Sequence, residues 1–553
     1  MYQDKTLTCK DCGQEFVFTA GEQEFYAEKG FQNEPTRCKA CRIARKNSRP
    51  ANGEAQQREM YETTCAQCGA PTRVPFIPKN DRPIYCSECY ASRRNDRGGG
   101  GAEGRGGGGG GAFFIHRKLC KAVSVIFMCL LPQPPFPCYN PIQQTGGIGM
   151  KKLFLSLALL CSMSFAALGE TLITATDLHY LAPSLTDHGA FFNQLIENSD
   201  GKTMAYSDEL MDAFVDQVIS RKPDALILSG DLTFNGEYES HEALVQKLNR
   251  INAAGIPVFV LPGNHDLNNR SAVRFEGDAY EHVSSVTGEE FAALYHAHGY
   301  DRALAKDERS LSYVAALSDR LWLLMIDVNA VAQPGSVPSE TLAWIADQLE
   351  QAKRSGCRVI AVSHQNLLNH SSLISTGFTI DNAEALLALE TEWPVLCHLS
   401  GHIHMQHMAK SASGLCDIAT SSLAVSPNQY GVLTLSSDKA AYRTEPVDVS
   451  SWAAAQGLDD PQLLHFSDYA SQFFRTTCIR QALQSIRKDD APEQLADFFA
   501  EINAAYFAGR MDACPIDAQM AARWRQQTGF LPRYIESILL ETPKNACEWT
   551  SGM

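Results

Sequence analysis

The sequence predicts an α/β fold for its larger part, two small cysteine-rich modules ahead of it, and a helical region behind. Three observations carry this. After residue 170, short apolar runs rich in β-branched residues alternate with amphipathic helical patterns. From about Val449 the apolar residues keep helical spacing alone. Before residue 97 every cysteine stands in a C-x-x-C pair. A chain of 553 residues, 44% hydrophobic and 20% charged, is globular and too long for one ordinary domain.

In the first module, Cys9 and Cys12 are answered by Cys38 and Cys41; in the second, Cys65 and Cys68 by Cys86 and Cys89. Four soft thiolates suit one tetrahedral zinc, so residues 1–47 and 60–96 each call for a structural zinc ion. Gly13 and Gly69 follow the leading pairs, where a tight turn is needed. Disulfides are the alternative; residues 1–96 open without a signal-like segment, so zinc in a reducing compartment is the expectation. "TLTCKDCGQEFVFTAGEQEFYAEKGF" and "PTRCKACR" resemble small bacterial zinc-ribbon proteins over about the first 110 residues. The resemblance implies a nucleic-acid or protein partner, or zinc that simply replaces a core. The basic stretches "RCKACRIARKN" and "ECYASRRNDR" suit a nucleic-acid contact and a solvated face alike.

Residues 97–112 are a glycine-rich linker, and 113–149 an apolar, proline-rich spacer with no period. Residues 150–169, "MKKLFLSLALLCSMSFAALG", have the basic start, apolar run and small-residue end of a secretory signal. Zinc thiolates need a reducing compartment and the signal directs export, so the two parts ask for different locations. The expectation is that Met150 starts a separate exported enzyme, that residues 1–96 are cytoplasmic when made separately, and that the two are fused by artifice or accident. The alternative is an uncut signal, with Lys151 and Lys152 inside and Leu153 to Leu168 in the membrane.

From Met150 onward there are 28 basic and 49 acidic residues, a net charge of −21, against +6 for the first 149. Such an acidic surface argues against nucleic acid as a partner of residues 170–553 but not against a small phosphoester, whose site bound cations can dominate.

Within residues 170–448, "TLITATDLHY" ends on Asp177 and His179, "ALILSGDLT" on Asp231, and "IPVFVLPGNHD" on Asn264, His265 and Asp266. "RVIAVSHQN" ends on His364 and "WPVLCHLSGHIH" on His402 and His404. Each is a buried-strand pattern delivering polar residues at its end, where open α/β sheets build sites. The helix pattern at Ser207–Ile219 puts Leu210, Phe214 and Ile219 near one face.

The order D-x-H, G-D, G-N-H-D, H, G-H-x-H resembles the calcineurin-like metallophosphoesterase family over roughly residues 171–447. The resemblance implies a β-sandwich flanked by helices and two transition-metal ions (manganese, iron or zinc) that hydrolyse phosphoesters through a metal-bridging hydroxide. Carried over by motif, Asp231 bridges; Asp177, His179 and His404 complete one site; Asn264, His364 and His402 complete the other. His265 is implied to face the substrate as general acid or phosphate contact, with Asp266 orienting its ring and holding it cationic. The implied substrate is a small phosphodiester such as a cyclic nucleotide, or a monoester. A zinc-module binding protein with an incidental enzyme is the alternative.

His370 is a rival to His364, and His407 is read as surface. Asp208, Asn329 and Asn428 are read as capping or turn residues, with pocket lining as the alternative. Cys397 is read as a buried thiol, and Cys514 with Cys547 as a bridge in an exported protein. Residues 449–553 are a helical extension whose stripes, Phe466–Phe474 and Leu495–Tyr506, are read as packing against the catalytic domain, with a role in shaping the substrate mouth or a dimer contact as the alternatives.

Overall fold

The structure is a computed structural model. It describes residues 5–10, 15–18, 35–36, 61–64 and 71–74, and then 169–552 apart from 394, 437–438 and 488. The chain divides into two units, residues 1–141 and 142–553.

In the first unit, Lys5–Thr8 pairs antiparallel with Glu15–Phe18, and Tyr61–Thr64 with Pro71–Val74. Each hairpin brackets a leading C-x-x-C pair in the sequence. Cys9 is buried, and Lys10 N donates to Thr36 O at 2.9 Å, bringing Thr36 beside the residue that follows Cys9. Cys12, Cys38, Cys41, Cys65, Cys68, Cys86 and Cys89, and residues 97–168 with the spacer and nearly all of the signal segment, lie outside the described residues.

The second unit begins with β1 (Thr171–Ala175), α1 (Ser207–Arg221), β2 (Ala225–Ser229), α2 (Tyr238–Ala253) and β3 (Val258–Leu261). It continues through β4 (Leu321–Ile326), α3 (Ser339–Arg354), β5 (Arg358–Ser363), α4 (Ala383–Glu392), β6 (Val395–Ser400) and β7 (Cys416–Ala419). It closes with β8 (Gln429–Leu435), β9 (Lys439–Pro446), α5 (Phe466–Ser485), α6 (Pro492–Phe507), α7 (Phe530–Leu540) and β10 (Glu548–Gly552).

β1, β2 and β3 are parallel neighbours, and β8, β9 and β10 extend this sheet antiparallel beyond β1. In the other sheet β4, β5, β6 and β7 are parallel, and antiparallel strands flank them on both sides. β2 reads ALILS with all five residues buried, as a strand covered on both faces requires. In β5 the alternation is plain. Ile360 and Val362 join the core shared with β1, β2 and β3, while Val359 and Ala361 pack with Ile345 of α3 and Leu386 of α4. The two sheets therefore share one core, each fully buried Leu, Ile or Phe contributing about 1.5–3 kcal/mol. α1 buries Leu210, Met211, Phe214, Val215 and Val218, and Ile219 sits at the half-buried margin of that stripe.

The C-terminal stripes pack as their spacing implies: Phe466, Ala470 and Phe474 of α5 are buried, with Leu495, Phe498, Phe499, Ile502 and Tyr506 of α6. The extension is not wholly helical, however. β10 pairs with β9 from Lys439↔Gly552 to Arg443↔Glu548, so the end of the chain completes the first sheet. Cys397 is a buried thiol, but the Cys514–Cys547 bridge is not formed. Both are free, and Cys547 Sγ donates instead to Ala508 O at 2.9 Å. Among the described residues no helix is long and apolar enough to cross a membrane.

Candidate metal centre

Five strands end at one place. Asp177 and His179 follow β1, Asp231 follows β2, Asn264–Asp266 follow β3, His364 follows β5, and His402 and His404 follow β6. Both sheets thus deliver side chains from the carboxyl ends of parallel strands, where the ladder stops and loops are free to turn. The turns are sharp. Asp177, His179, Asp231, His402 and His404 have φ of 51°, 44°, 48°, 67° and 62°, a region that costs L-residues energy. Neighbouring glycines permit the crowding. A Cβ on Gly263 would lie 2.2 Å from Asp231 N, and one on Gly401 2.0 Å from Thr176 Oγ1.

The result is two groups of donors. Ligand atoms of Asp177, His179, Asp231 and His404 lie within 4.8 Å of one another, as do those of Asp231, His364 and His402. Asp231 belongs to both: its Oδ2 is 3.8 Å from His179 Nε2 and its Oδ1 3.3 Å from His364 Nε2. Asn264 Oδ1 lies 3.0 Å from His364 Nε2 and adds a neutral oxygen to the second group. His370 is elsewhere, buried against His407 with their Nδ1 atoms 3.0 Å apart and its Nε2 3.1 Å from Asp417. His407 is accordingly not a surface residue. It follows β6 into a strand packed under the C-terminal region, with its Nε2 3.8 Å from Glu541.

Backbone and outer groups aim the rings. His364 Nδ1 donates to Ser229 O at 2.9 Å, leaving Nε2 for the centre. His402 Nε2 donates to Gly377 O at 3.0 Å, leaving Nδ1. His404 turns Nε2 toward Asp177 Oδ1 at 3.2 Å, while Nδ1 faces Asp200 at 3.5 Å. Asp177 Oδ2 accepts from Thr176 Oγ1 and His402 N, both at 2.8 Å. Its buried Oδ1 accepts no aligned hydrogen bond. Carboxylate oxygens set among imidazole nitrogens fit transition-metal ions better than calcium.

Burial opposes charge on His364, but Asp231 outweighs it and holds the ring up to about 9; Asp177 does the same for His404, also to about 9. Burial would likewise raise both carboxyls, yet His404 and His364 hold Asp177 and Asp231 well below the usual range. Burial and Lys202 keep His179 neutral, and burial with the nearby His364 charge lowers His402 to about 4. Two imidazolium–carboxylate pairs therefore neutralise the centre, and cations held there would displace their protons.

Asp266 departs from its expected role. Its carboxylate accepts from Leu232 N, Thr233 N, Thr233 Oγ1 and Gly263 N at 2.7–3.1 Å, so it clamps two site loops together and does not orient His265. His265 Nδ1 instead meets Phe234 O at 2.9 Å and Asn235 Oδ1 at 3.0 Å. Its ring stands 4.9 Å from that of His179.

Residues 171–406 match the family described as calcineurin-like phosphoesterase. They are a calcineurin-like metallophosphoesterase domain. The enzyme is a dimetal phosphoesterase, a hydrolase, with the two Asp/His groups fitting its metal pair. Residues 448–545 match the C-terminal domain of cyclic nucleotide phosphodiesterase. Residues 3–50 match a probable treble clef domain and 58–94 a probable treble clef zinc finger, so the modules read as ribbons are zinc folds of the treble clef kind. No curated protein matches the chain significantly. Among solved structures it is similar to a dimetal phosphatase from Danio rerio, at 15% identity and TM-score 0.38, covering 50% of this chain and 95% of that one. It is also similar to a purple acid phosphatase from yellow lupin, at 12% identity and TM-score 0.36, covering 50% of this chain and 52% of that one.

Of the remaining polar residues, Asp208 pairs with Tyr180 and Lys247, and Asn329 holds Pro262 O and Gln365. Asn428 holds Thr203 and Leu423 O, so all three are internal braces. Asp200 was missed: it lies in "NSDGK", a loop with no motif, and reaches His404 only through the fold, with Lys202 at 2.7 Å.

Proposed function

We propose that this enzyme hydrolyses small phosphodiesters, cyclic nucleotides among them, and that Asp177, His179, His404 and Asp231 hold one ion while Asp231, Asn264, His364 and His402 hold the other. The observation that carries the diester reading is the match of residues 448–545 to the C-terminal domain of cyclic nucleotide phosphodiesterase. Bound ions would supply the positive charge that activates water and offsets charge on the phosphoryl oxygens. The chain's own residues do the rest. Asp231 addresses both groups with separate oxygens, so it would contribute to holding both ions. His265 is half-buried, and its Nδ1 contacts leave Nε2 to pass a proton to the departing oxygen. Thr176 and the His402 N–H hold Asp177 in place.

We further propose that residues 170–553 act outside the cytoplasm, a reading supported by the signal-like segment at residues 150–169. The treble clef modules would hold structural zinc and a nucleic-acid or protein partner. The mass and first residue of the mature protein from its native host test whether Met150 begins a separate enzyme. For activity, the full chain loaded with manganese is assayed on bis(p-nitrophenyl) phosphate, a cyclic nucleotide and p-nitrophenyl phosphate. Faster metal-dependent turnover of the diesters is expected; turnover of the monoester alone overturns the diester assignment.

A further inference from the structure

Beside His402 and His404 lies a cavity of about 280 Å³, and the C-terminal helices build its far wall. Phe474 of α5 and Phe507 of α6 stand there with ring centroids 5.0 Å apart. Phe378, from the loop before α4, faces them and lies 5.0 Å from the His402 ring. The deep polar groups are already spent: Asn503 donates to Cys478 Sγ and accepts from Tyr534 at 2.9 Å. No lysine or arginine is among the described residues lining it, and exposed Gln481 stands at the mouth.

We infer that this cavity receives the organic arm of the substrate, and that the arm is a single neutral, flat ring system such as a nucleobase or aryl group. The inference rests on the phosphoesterase reading above and names its substrate class. Continuity with the centre is direct, because His402 and His404 line both. Three aromatic side chains offer faces and edges to a ring and little to a flexible polar chain. At about 280 Å³ the space is at the small end of ligand pockets, enough for one ring system and not for an oligonucleotide segment. Without a cation to meet it, a second phosphate would be desolvated there unpaired, so polyphosphates are excluded. The stripe on α5 thus has two uses: Phe466 and Ala470 pack, and Phe474 walls the site.

The test uses the manganese-loaded full chain with two phosphonates that share the metal-binding group and differ in one arm. Phenylphosphonate is expected to inhibit about tenfold or more tightly than methylphosphonate. Phe507→Ala, which empties one wall, and Gln481→Trp, which closes the mouth from an exposed position, should each reduce that preference about tenfold or toward unity. Circular dichroism checks the fold of both, and the exposed Gln481 site keeps the test open if Phe507→Ala does not fold. A drop in either folded variant supports the assignment. A wild-type ratio near one, or a ratio unchanged in every folded variant, overturns it. Absence of metal-dependent ester turnover and of inhibition by either phosphonate would instead overturn the phosphoesterase reading.

Discussion

Gly263 offers the sharpest perturbation of the centre. Its φ is ordinary, so Gly263→Ala adds no backbone strain and acts through volume alone. The new Cβ would sit 2.2 Å from both Asp231 N and Asp231 Oδ1, where ordinary contact begins at 3.4 Å. The β2 and β3 ends must part by roughly 1.2 Å, and one of the clashing atoms is backbone, which no rotamer change relieves. That separation moves the shared Asp231 carboxylate relative to the ligand atoms grouped around it. A displacement of about 1 Å costs on the order of a hundredfold in turnover, and the overpacking about 1–3 kcal/mol in stability. Turnover, metal content by elemental analysis and thermal unfolding measure all three consequences. Gly255→Ala is the control: nothing lies within 4 Å but φ is +85°, so stability should fall by about 1 kcal/mol with turnover intact. A Gly263→Ala protein with two metals and turnover within a fewfold of the parent would refute the crowding argument.

Asp231→Asn should abolish turnover in a protein that still folds, since the side chain shared by both groups loses its charge; retained turnover with two bound metals would contradict its assignment. His265→Ala should leave metal content unchanged and lower turnover about a hundredfold for poor leaving groups, less for nitrophenyl esters. Equal losses across leaving groups would make it a phosphate contact. In metal-free protein His364 and His404 are raised to about 9 from 6.5. Their stabilisation is fully present below about pH 6.5 and is lost as pH rises through 9. The metal-free melting temperature should therefore fall across that window, and proton release on manganese uptake should shrink above it. A flat profile would show that these pairs are not formed.

What was readable in the chain followed from chemistry that is local. A strand buried on both faces needs an unbroken apolar run, so "ALILSGD" and "RVIAVSH" declare both the strand and the polar residue at its end. What was not readable depends on contacts across the chain. Asp200 meets His404 over some two hundred residues, and nothing near it in sequence marks it. Asp266 looked like a partner of its neighbour His265, but its oxygens were taken by N–H groups of the Asp231 loop, which no spacing reveals. His370 and His407 find each other only because the loop after β5 crosses the strand after β6. The closing strand pairs with β9 after a hundred residues of largely helical chain.

The left-handed turns at the centre have a consequence for the protein's life in its host. Five non-glycine residues there sit at positive φ, each at about 1 kcal/mol or more, in a domain whose whole stability is on the order of 5–15 kcal/mol. Ions that bind only the folded chain repay that deficit by mass action. Abundance would then answer to nutrition: were transition metals scarce, copies lacking ions would open more often and be cut by proteases, while those that remained would be the loaded ones. Scarcity would reduce the number of working enzymes before it slowed any one of them.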